Sequence, residues 1–278
     1  MYSTAEIIES YKLFLEVKYP HNFQSYCRRL KNQTESAKAE AVTFSILRSI
    51  FDNVQVVEDI STGGADYLCK TNGTEFIFEV TCLEAESVAA QSGWKNEVPE
   101  NVSAGSFGMI THMLRTKVSS KAGQLSGYNS PRILVITCEH IAANVLLGPH
   151  GAEIFLTSDT KIEVPIDKPI ENINIVTDLK NSVFFRYKNG SIESCRRSIS
   201  AILFLSILAD KTLVVGILHP DPEYKFPIRL LPSVPFVRVK EWPPQSSTIE
   251  IEWVIYNPIA KEFYHQKVEF KDEELRRI

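Results

Sequence analysis

The feature that most constrains this chain is a tight turn between two apolar segments. Residues 71–74 read Thr-Asn-Gly-Thr, and Asn-Gly supplies the positive φ angles that a two-residue hairpin turn needs. We therefore predict an antiparallel hairpin with strands over 65–69 and 75–82. Equal offsets from a turn centred between Asn72 and Gly73 place Asp66 opposite Glu79.

The second of these strands carries a carboxylate in an apolar setting. Alternate residues of a strand face opposite sides of the sheet, so Glu79 shares a face with Ile77 and Thr81. The other face is apolar and comprises Phe76, Phe78 and Val80. A buried carboxylate is costly unless it is paired or binds a cation, and a facing carboxylate from Asp66 adds repulsion. Either a Mg²⁺ or Mn²⁺ ion relieves this conflict, or one of the two carboxylates faces solvent, since sequence fixes hairpin register only weakly.

A helix is predicted before the hairpin, from Thr34 to Phe51, with Thr34 or Ser36 as its N-cap. Glu40 precedes Phe44 by one helical turn, which puts it on or beside the apolar stripe of this helix. Its carboxylate therefore either faces the sheet near the two strand carboxylates or lies solvated at the edge of the stripe.

A second helix is predicted after the hairpin, over 107–125. Lys117, Lys121 and Gln124 follow one another at helical spacing and form one polar ridge. Such a ridge either directs ammonium and amide donors at a phosphate or is a solvated helix face. The polar stretch 84–106 between hairpin and helix is predicted to be a long loop.

The remaining pattern predicts a mixed sheet. A short β-branched strand is expected over 54–57, and the apolar run 132–137 is typical of a strand buried on both faces. Residues 34–137 thus have the order αβββαβ. Beyond residue 139 the chain is β-rich, with two predicted hairpins formed by residues 199–208 with 212–218 and 249–256 with 262–270.

This arrangement resembles the core of the PD-(D/E)XK, or restriction-endonuclease-like, nuclease superfamily over about a third of the chain. Three segments carry the resemblance in addition to Glu40: Gly63-Gly64-Ala65-Asp66, Phe78-Glu79-Val80-Thr81 and Lys121-Ala122-Gly123-Gln124. The resemblance implies a mixed α/β fold with a restriction-endonuclease-like αβββαβ core, in which helices flank a central mixed sheet. Domain boundaries expected from it are a helical arm over 1–33, a nuclease-like core over 34–138, and a β-rich extension or accessory domain over 139–278.

The resemblance also implies roles for five residues. Asp66 and Glu79 are expected to bind Mg²⁺ or Mn²⁺, with Glu40 as a further metal ligand. Lys121 and Gln124 are expected to complete the catalytic site by orienting the attacking water and the phosphate. The implied partner is nucleic acid, with DNA favoured, and many members of the superfamily act as homodimers.

Two residues depart from the motif of the superfamily. Ala65 stands where a proline usually precedes the aspartate, which is a common and minor change. Thr81 stands where the catalytic lysine is usual, and a threonine hydroxyl supplies neither a positive charge nor a base near neutral pH. Either Lys121 or Lys117 supplies the ammonium from the helix, or the domain has lost its chemistry.

Two function classes follow. One is a metal-dependent nuclease that hydrolyses phosphodiester bonds, and the other is a catalytically inactive nuclease-fold protein that binds nucleic acid or a protein partner. The formal net charge of −4 lacks the basic excess of many nucleic-acid-binding domains, although charge can segregate between faces. This balance leaves the second class open.

Composition favours a cytoplasmic protein without membrane segments. The N-terminus has no basic region followed by an apolar stretch, and the longest apolar run, 201–208, is far shorter than the ~20 residues that span a bilayer. The cysteines are odd in number and widely spaced, at Cys27, Cys69, Cys82, Cys138 and Cys195. This spacing argues against a disulfide framework or a zinc knuckle and favours reduced thiols.

Overall fold

The structure is a computed structural model that describes residues 3–58, 64–97, 104–142, 146–157, 160–163, 174–177, 182–188, 191–208, 211–243 and 250–267. In these ranges the chain forms six α-helices, a nine-stranded mixed sheet and two small two-stranded sheets. The mixed α/β class is as predicted. No helix in the described ranges is both long and apolar enough to cross a membrane.

The helices fall into an N-terminal group and a group that follows the hairpin. They are α1 (Thr4–Lys18), α2 (Pro20–Asn32), α3 (Thr34–Ile50), α4 (Ala85–Ser92), α5 (Ala104–Leu125) and α6 (Pro149–Thr157). The prediction of Thr34 or Ser36 as N-cap was wrong. Gln33 caps α3 without a side-chain bond, and the Thr34 hydroxyl donates instead to the Leu30 carbonyl of α2, because α2 runs almost directly into α3. The predicted loop 84–106 was wrong in part, since it contains α4 and the first turn of α5.

The nine-stranded sheet combines the predicted core with the C-terminal region. Its strands, in spatial order, are β1 (Asn53–Val56), β2 (Tyr67–Thr71), β3 (Thr74–Leu83), β4 (Arg132–Cys138), β9 (Ala201–Leu208), β10 (Lys211–Leu218), β11 (Phe236–Val239), β12 (Ile251–Asn257) and β13 (Glu262–Lys267). The small sheets are β5 (Thr160–Glu163) with β6 (Asn174–Thr177), and β7 (Phe185–Lys188) with β8 (Ser191–Ser194). The pairs β3–β4, β4–β9 and β10–β11 are parallel, and the other pairs are antiparallel.

The register of the first hairpin agrees with the turn-centred prediction. Tyr67 faces Phe78 across β2 and β3. Asn72 and Gly73 adopt φ angles of 49° and 76°, as an Asn-Gly hairpin turn requires. Asp66 lies just before β2 rather than inside a strand, but its backbone N–H still donates to the Phe78 carbonyl at 3.1 Å.

The two faces of the sheet are covered by different helices. Helices α1–α3 pack on the face that carries Phe76 and Phe78, and α5 and α6 pack on the face that carries Ile77. All seven residues of β4 are buried, as its continuous apolar sequence predicts. Residue 79 therefore lies on the α5 side of a strand at the interior of the sheet.

The C-terminal region widens this sheet beyond β4. Strand β9 pairs in parallel with β4 and forms an antiparallel hairpin with β10, and β12 forms another with β13, as predicted. The five cysteines are all free.

Candidate active site

The five residues singled out in the sequence line one polar cavity of about 660 Å³, which residues of α2, α3, β3 and α5 surround. They are Glu40 from α3, Asp66 from the segment before β2, Glu79 from β3, and Lys121 and Gln124 from α5. Four elements that are distant in sequence therefore converge at this cavity. Lys117 and Thr81 also line it.

Backbone contacts fix Asp66 at the floor of the cavity. Its Oδ2 accepts a 2.6 Å hydrogen bond from the Val80 N–H, which comes from the strand that carries Glu79. The neighbouring Ala65 N–H donates to the Tyr128 hydroxyl at 2.9 Å. Burial raises the pKa of Asp66 well above its ordinary value, and the carboxylates of Glu79 and Glu40 raise it further. A carboxylate in this environment resists ionisation unless a cation is close.

Glu79 is held by the polar ridge of α5. The Lys121 ammonium donates to Glu79 Oε1, and the Gln124 amide donates to Glu79 Oε2 at 3.3 Å. Gln124 also accepts from Lys121 at 3.0 Å and donates to the Gly64 carbonyl. Burial raises the pKa of Glu79, and the Lys121 ammonium partly offsets that rise. The Lys121 and Gln124 side chains of this ridge thus face the buried carboxylate and are not simply part of a solvated helix face.

Glu40 enters the cavity from α3. It is 9% exposed, and its Oε2 accepts from Arg29 Nη2 at 2.8 Å. Its backbone carbonyl accepts from the buried Tyr67 hydroxyl at 3.1 Å, which fixes this turn of α3 over β2. Burial raises the pKa of Glu40 to about 7, against the opposing effect of the Arg29 guanidinium, and Glu58 and Glu79 add to the rise. Glu40 therefore faces the sheet rather than solvent.

Arg29 and Glu58 line this cavity but were not among the predicted site residues. Arg29 of α2 bonds to Glu40 and also to Glu58 Oε2 at 3.3 Å, and both line the cavity. The sequence holds one signal for Arg29, because it follows the buried Tyr26 by three residues and so lies on the packed face of α2. No comparable signal exists for Glu58. The N-terminal arm thus contributes a cation to the site rather than lying apart from it.

The donor chemistry suits a hard divalent cation, since carboxylate oxygens from three elements meet in one buried cavity. The three carboxylates are not drawn into one tight cluster, however. A tight group does occur elsewhere in the described ranges. It consists of Glu35, Cys82 and Glu84, whose ligand atoms all lie within 4.8 Å of one another. Glu79 and Glu40 turn instead towards Lys121 and Arg29.

No family model, no curated protein and no solved structure matches this chain. The resemblance to the PD-(D/E)XK superfamily therefore stays a prediction from the sequence.

Proposed function

We propose that this chain is a metal-dependent nuclease that hydrolyses phosphodiester bonds, with DNA as its substrate. The observation that carries the proposal is the convergence of Glu40, Asp66, Glu79, Lys121 and Gln124 on one polar cavity. The restriction-endonuclease-like core is part of the same proposal. It is supported by the order of α3, β1, β2, β3, α5 and β4, and by the parallel pairing of β3 with β4.

Asp66 and Glu79 would hold Mg²⁺ or Mn²⁺, and Glu40 would be the further ligand. When bound, the ion supplies Lewis-acid stabilisation of the charge that develops on the phosphodiester. The raised pKa values of all three carboxyl groups support this assignment, since a site with buried like charges gains most from a cation.

Lys121 takes the place of the lysine that the motif lacks at Thr81. Its ammonium contacts Glu79, and its side chain lines the cavity and is 26% exposed, so the ammonium can contact both the buried carboxylate and an entering phosphate. In this role it orients the attacking water and neutralises phosphate charge. Gln124 positions Lys121 through its Oε1 and anchors the segment before Asp66 through Gly64.

A catalytically inactive nuclease-fold protein is the second candidate, and the internal ion pairs favour it. Lys121 and Arg29 neutralise Glu79 and Glu40 without any metal ion. A protein of this kind binds nucleic acid or a protein partner through the same cavity without cleaving, and its binding survives loss of Asp66 and chelation of divalent ions.

Cleavage assays separate the two candidates. Plasmid and single-stranded DNA are incubated with Mg²⁺ or Mn²⁺ and with wild type, Asp66→Asn, Glu79→Gln or Lys121→Ala. Lys70→Ala and Glu75→Ala are matched controls, because this pair forms a surface salt bridge on the same hairpin. We expect cleavage by wild type and by both controls, and its loss in the three cavity variants. Cleavage that persists in Asp66→Asn refutes the proposed site, and no cleavage by wild type on any substrate leaves the second candidate.

A further inference from the structure

A second group of metal-ligating side chains lies at the end of β3. Glu35, Cys82 and Glu84 each offer one ligand atom, and these three atoms lie within 4.8 Å of one another. Cys82 is the penultimate residue of β3, Glu84 follows that strand, and Glu35 lies in the first turn of α3. The fold therefore brings a thiol and two carboxylates together from a strand end and a helix start.

Two buried oxygen atoms next to this group lack hydrogen-bond partners. Thr137 is 1% exposed and faces Cys82 across the parallel β3–β4 pair. Its hydroxyl lies beside the Cys82 thiol, but the geometry of this contact is not that of a hydrogen bond. Glu139 follows β4 as Glu84 follows β3. Its Oε2 accepts from Lys38 at 2.9 Å, whereas its Oε1 is buried and unpaired. Buried polar atoms without partners are uncommon in folded proteins, and a bound water or ion is one explanation for them.

We propose that Glu35, Cys82 and Glu84 bind a thiophilic divalent cation of the Zn²⁺ class. A thiolate with two carboxylates is a donor set that Zn²⁺ accepts, whereas Mg²⁺ avoids sulfur. Bond lengths of about 2.0–2.3 Å in a tetrahedral site place ligand atoms about 3.5 Å apart, so the observed group closes by rotation of the two flexible glutamates. The Ala85 N–H already orients Glu35 by donating to its Oε2 at 2.9 Å.

The bound cation joins the start of α3 to the end of β3 and relieves repulsion among carboxylates. Burial raises the pKa of Glu35, and the charges of Glu84 and Glu139 raise it further; a cation between Glu35 and Glu84 opposes the effect of these charges. Cys82 and Glu84 also line the large polar cavity, so the ion lies in the wall of the candidate active site. The inference does not depend on the proposed nuclease function, because it uses none of the five motif residues.

Cadmium is a suitable probe, because Cd²⁺ bound to a thiolate gives a sulfur-to-metal charge-transfer absorption in the ultraviolet. The protein is titrated with Cd²⁺ as wild type, Cys82→Ser, Cys27→Ser and Asp66→Asn. We expect the absorption to saturate at one equivalent in wild type, to be displaced by Zn²⁺, and to be lost only in Cys82→Ser. Its presence in Cys27→Ser shows that Cys27 is not the ligand, and its presence in Asp66→Asn separates this site from the nuclease site.

A second variant keeps the inference testable if Cys82→Ser does not fold. The double variant Glu35→Gln/Glu84→Gln retains the thiol and the shape of both side chains, and circular dichroism checks its fold. We expect its Zn²⁺ affinity, measured by competition with a chromophoric chelator, to fall by more than about tenfold. No charge-transfer absorption in wild type, its survival in Cys82→Ser, or an unchanged Zn²⁺ affinity in the double variant overturns the proposal.

Discussion

Glu40→Gln should stabilise the metal-free protein at neutral and alkaline pH. Glutamine has the shape of protonated glutamate, so the variant reproduces the neutral form of Glu40 and removes only its ionisation. Burial raises the pKa of Glu40 from its ordinary 4.5 to about 7. The folded state then holds the Glu40 proton more tightly than the unfolded chain, and wild-type stability falls as pH rises from 4.5 through 7. The variant lacks this loss.

The size of the effect follows from the shift in pKa. Each pKa unit corresponds to about 1.4 kcal/mol, so Glu40→Gln should exceed wild type by about 3 kcal/mol at pH 8. The difference should shrink to about 1 kcal/mol near pH 5.5 and vanish below pH 4. Arg29 keeps an ionic partner in the variant, because Glu58 Oε2 lies 3.3 Å from its Nη2.

Urea unfolding at pH 8 and pH 5.5, in the presence of a chelator, measures both differences. Glu75→Gln is the control, since this half-exposed carboxylate pairs with Lys70 at the surface and its loss should change stability by no more than about 0.5 kcal/mol. Added Mg²⁺ should reduce the difference in the free energy of unfolding between Glu40→Gln and wild type, because Mg²⁺ stabilises wild type more than a variant with one ligand fewer. The reasoning is refuted if Glu40→Gln is no more stable than wild type at pH 8, or if the gap does not depend on pH.

Three further predictions concern the lysine position, the sheet and a buried histidine. Lys121→Met should lower the rate of DNA cleavage by about 100-fold or more. Adding Thr81→Lys to this variant should restore part of the cleavage rate on plasmid, and no recovery would contradict the assignment of the lysine role to α5. Gly216→Ala should lower the free energy of unfolding, measured in urea, by about 1–3 kcal/mol, because a Cβ at this position would lie 2.1 Å from the Phe236 ring. Adding Phe236→Leu to this variant should recover part of the lost free energy. Burial lowers the pKa of His219 from 6.5 to about 4. The unfolded chain therefore binds the proton first, and the contribution of His219 to stability falls by about 2–3 kcal/mol between pH 7 and 4.5. The stability of wild type relative to His219→Gln should fall by that amount over this range. Equal acid sensitivity of the two proteins would count against a neutral buried imidazole.

The hairpin and its carboxylates could be predicted because their signals are local. Asn72-Gly73 fixes the turn, the turn fixes the register of Tyr67 against Phe78, and strand alternation puts Glu79 on the face away from the phenylalanines. The helical spacing of Lys121 and Gln124 likewise places both side chains on one face of α5. Each of these steps spans only a few residues, so tertiary packing had little opportunity to override it.

The parts that were missed depend on contacts between distant segments. Arg29 meets Glu40 only because α2 packs across α3, and no local pattern gives that crossing. Helix α4 was missed because the polar composition of its segment is typical of a loop, whereas the buried Ala85 and Val88 hold it against the core. The N-cap of α3 was misplaced since the Thr34 hydroxyl finds its partner in the preceding helix.

The position of Lys121 explains how a threonine at position 81 is compatible with the proposed nuclease site. Residues 79 and 81 point to the same face of β3, and α5 covers that face. A lysine at 81 and a lysine on α5 therefore approach Glu79 from within the same layer. Thr81 is itself 6% exposed, so its small side chain leaves the space beside Glu79 to the Lys121 ammonium. Since electrostatic stabilisation depends on where a charge lies rather than on which element carries it, the proposed site keeps a cation beside Glu79 although residue 81 is a threonine.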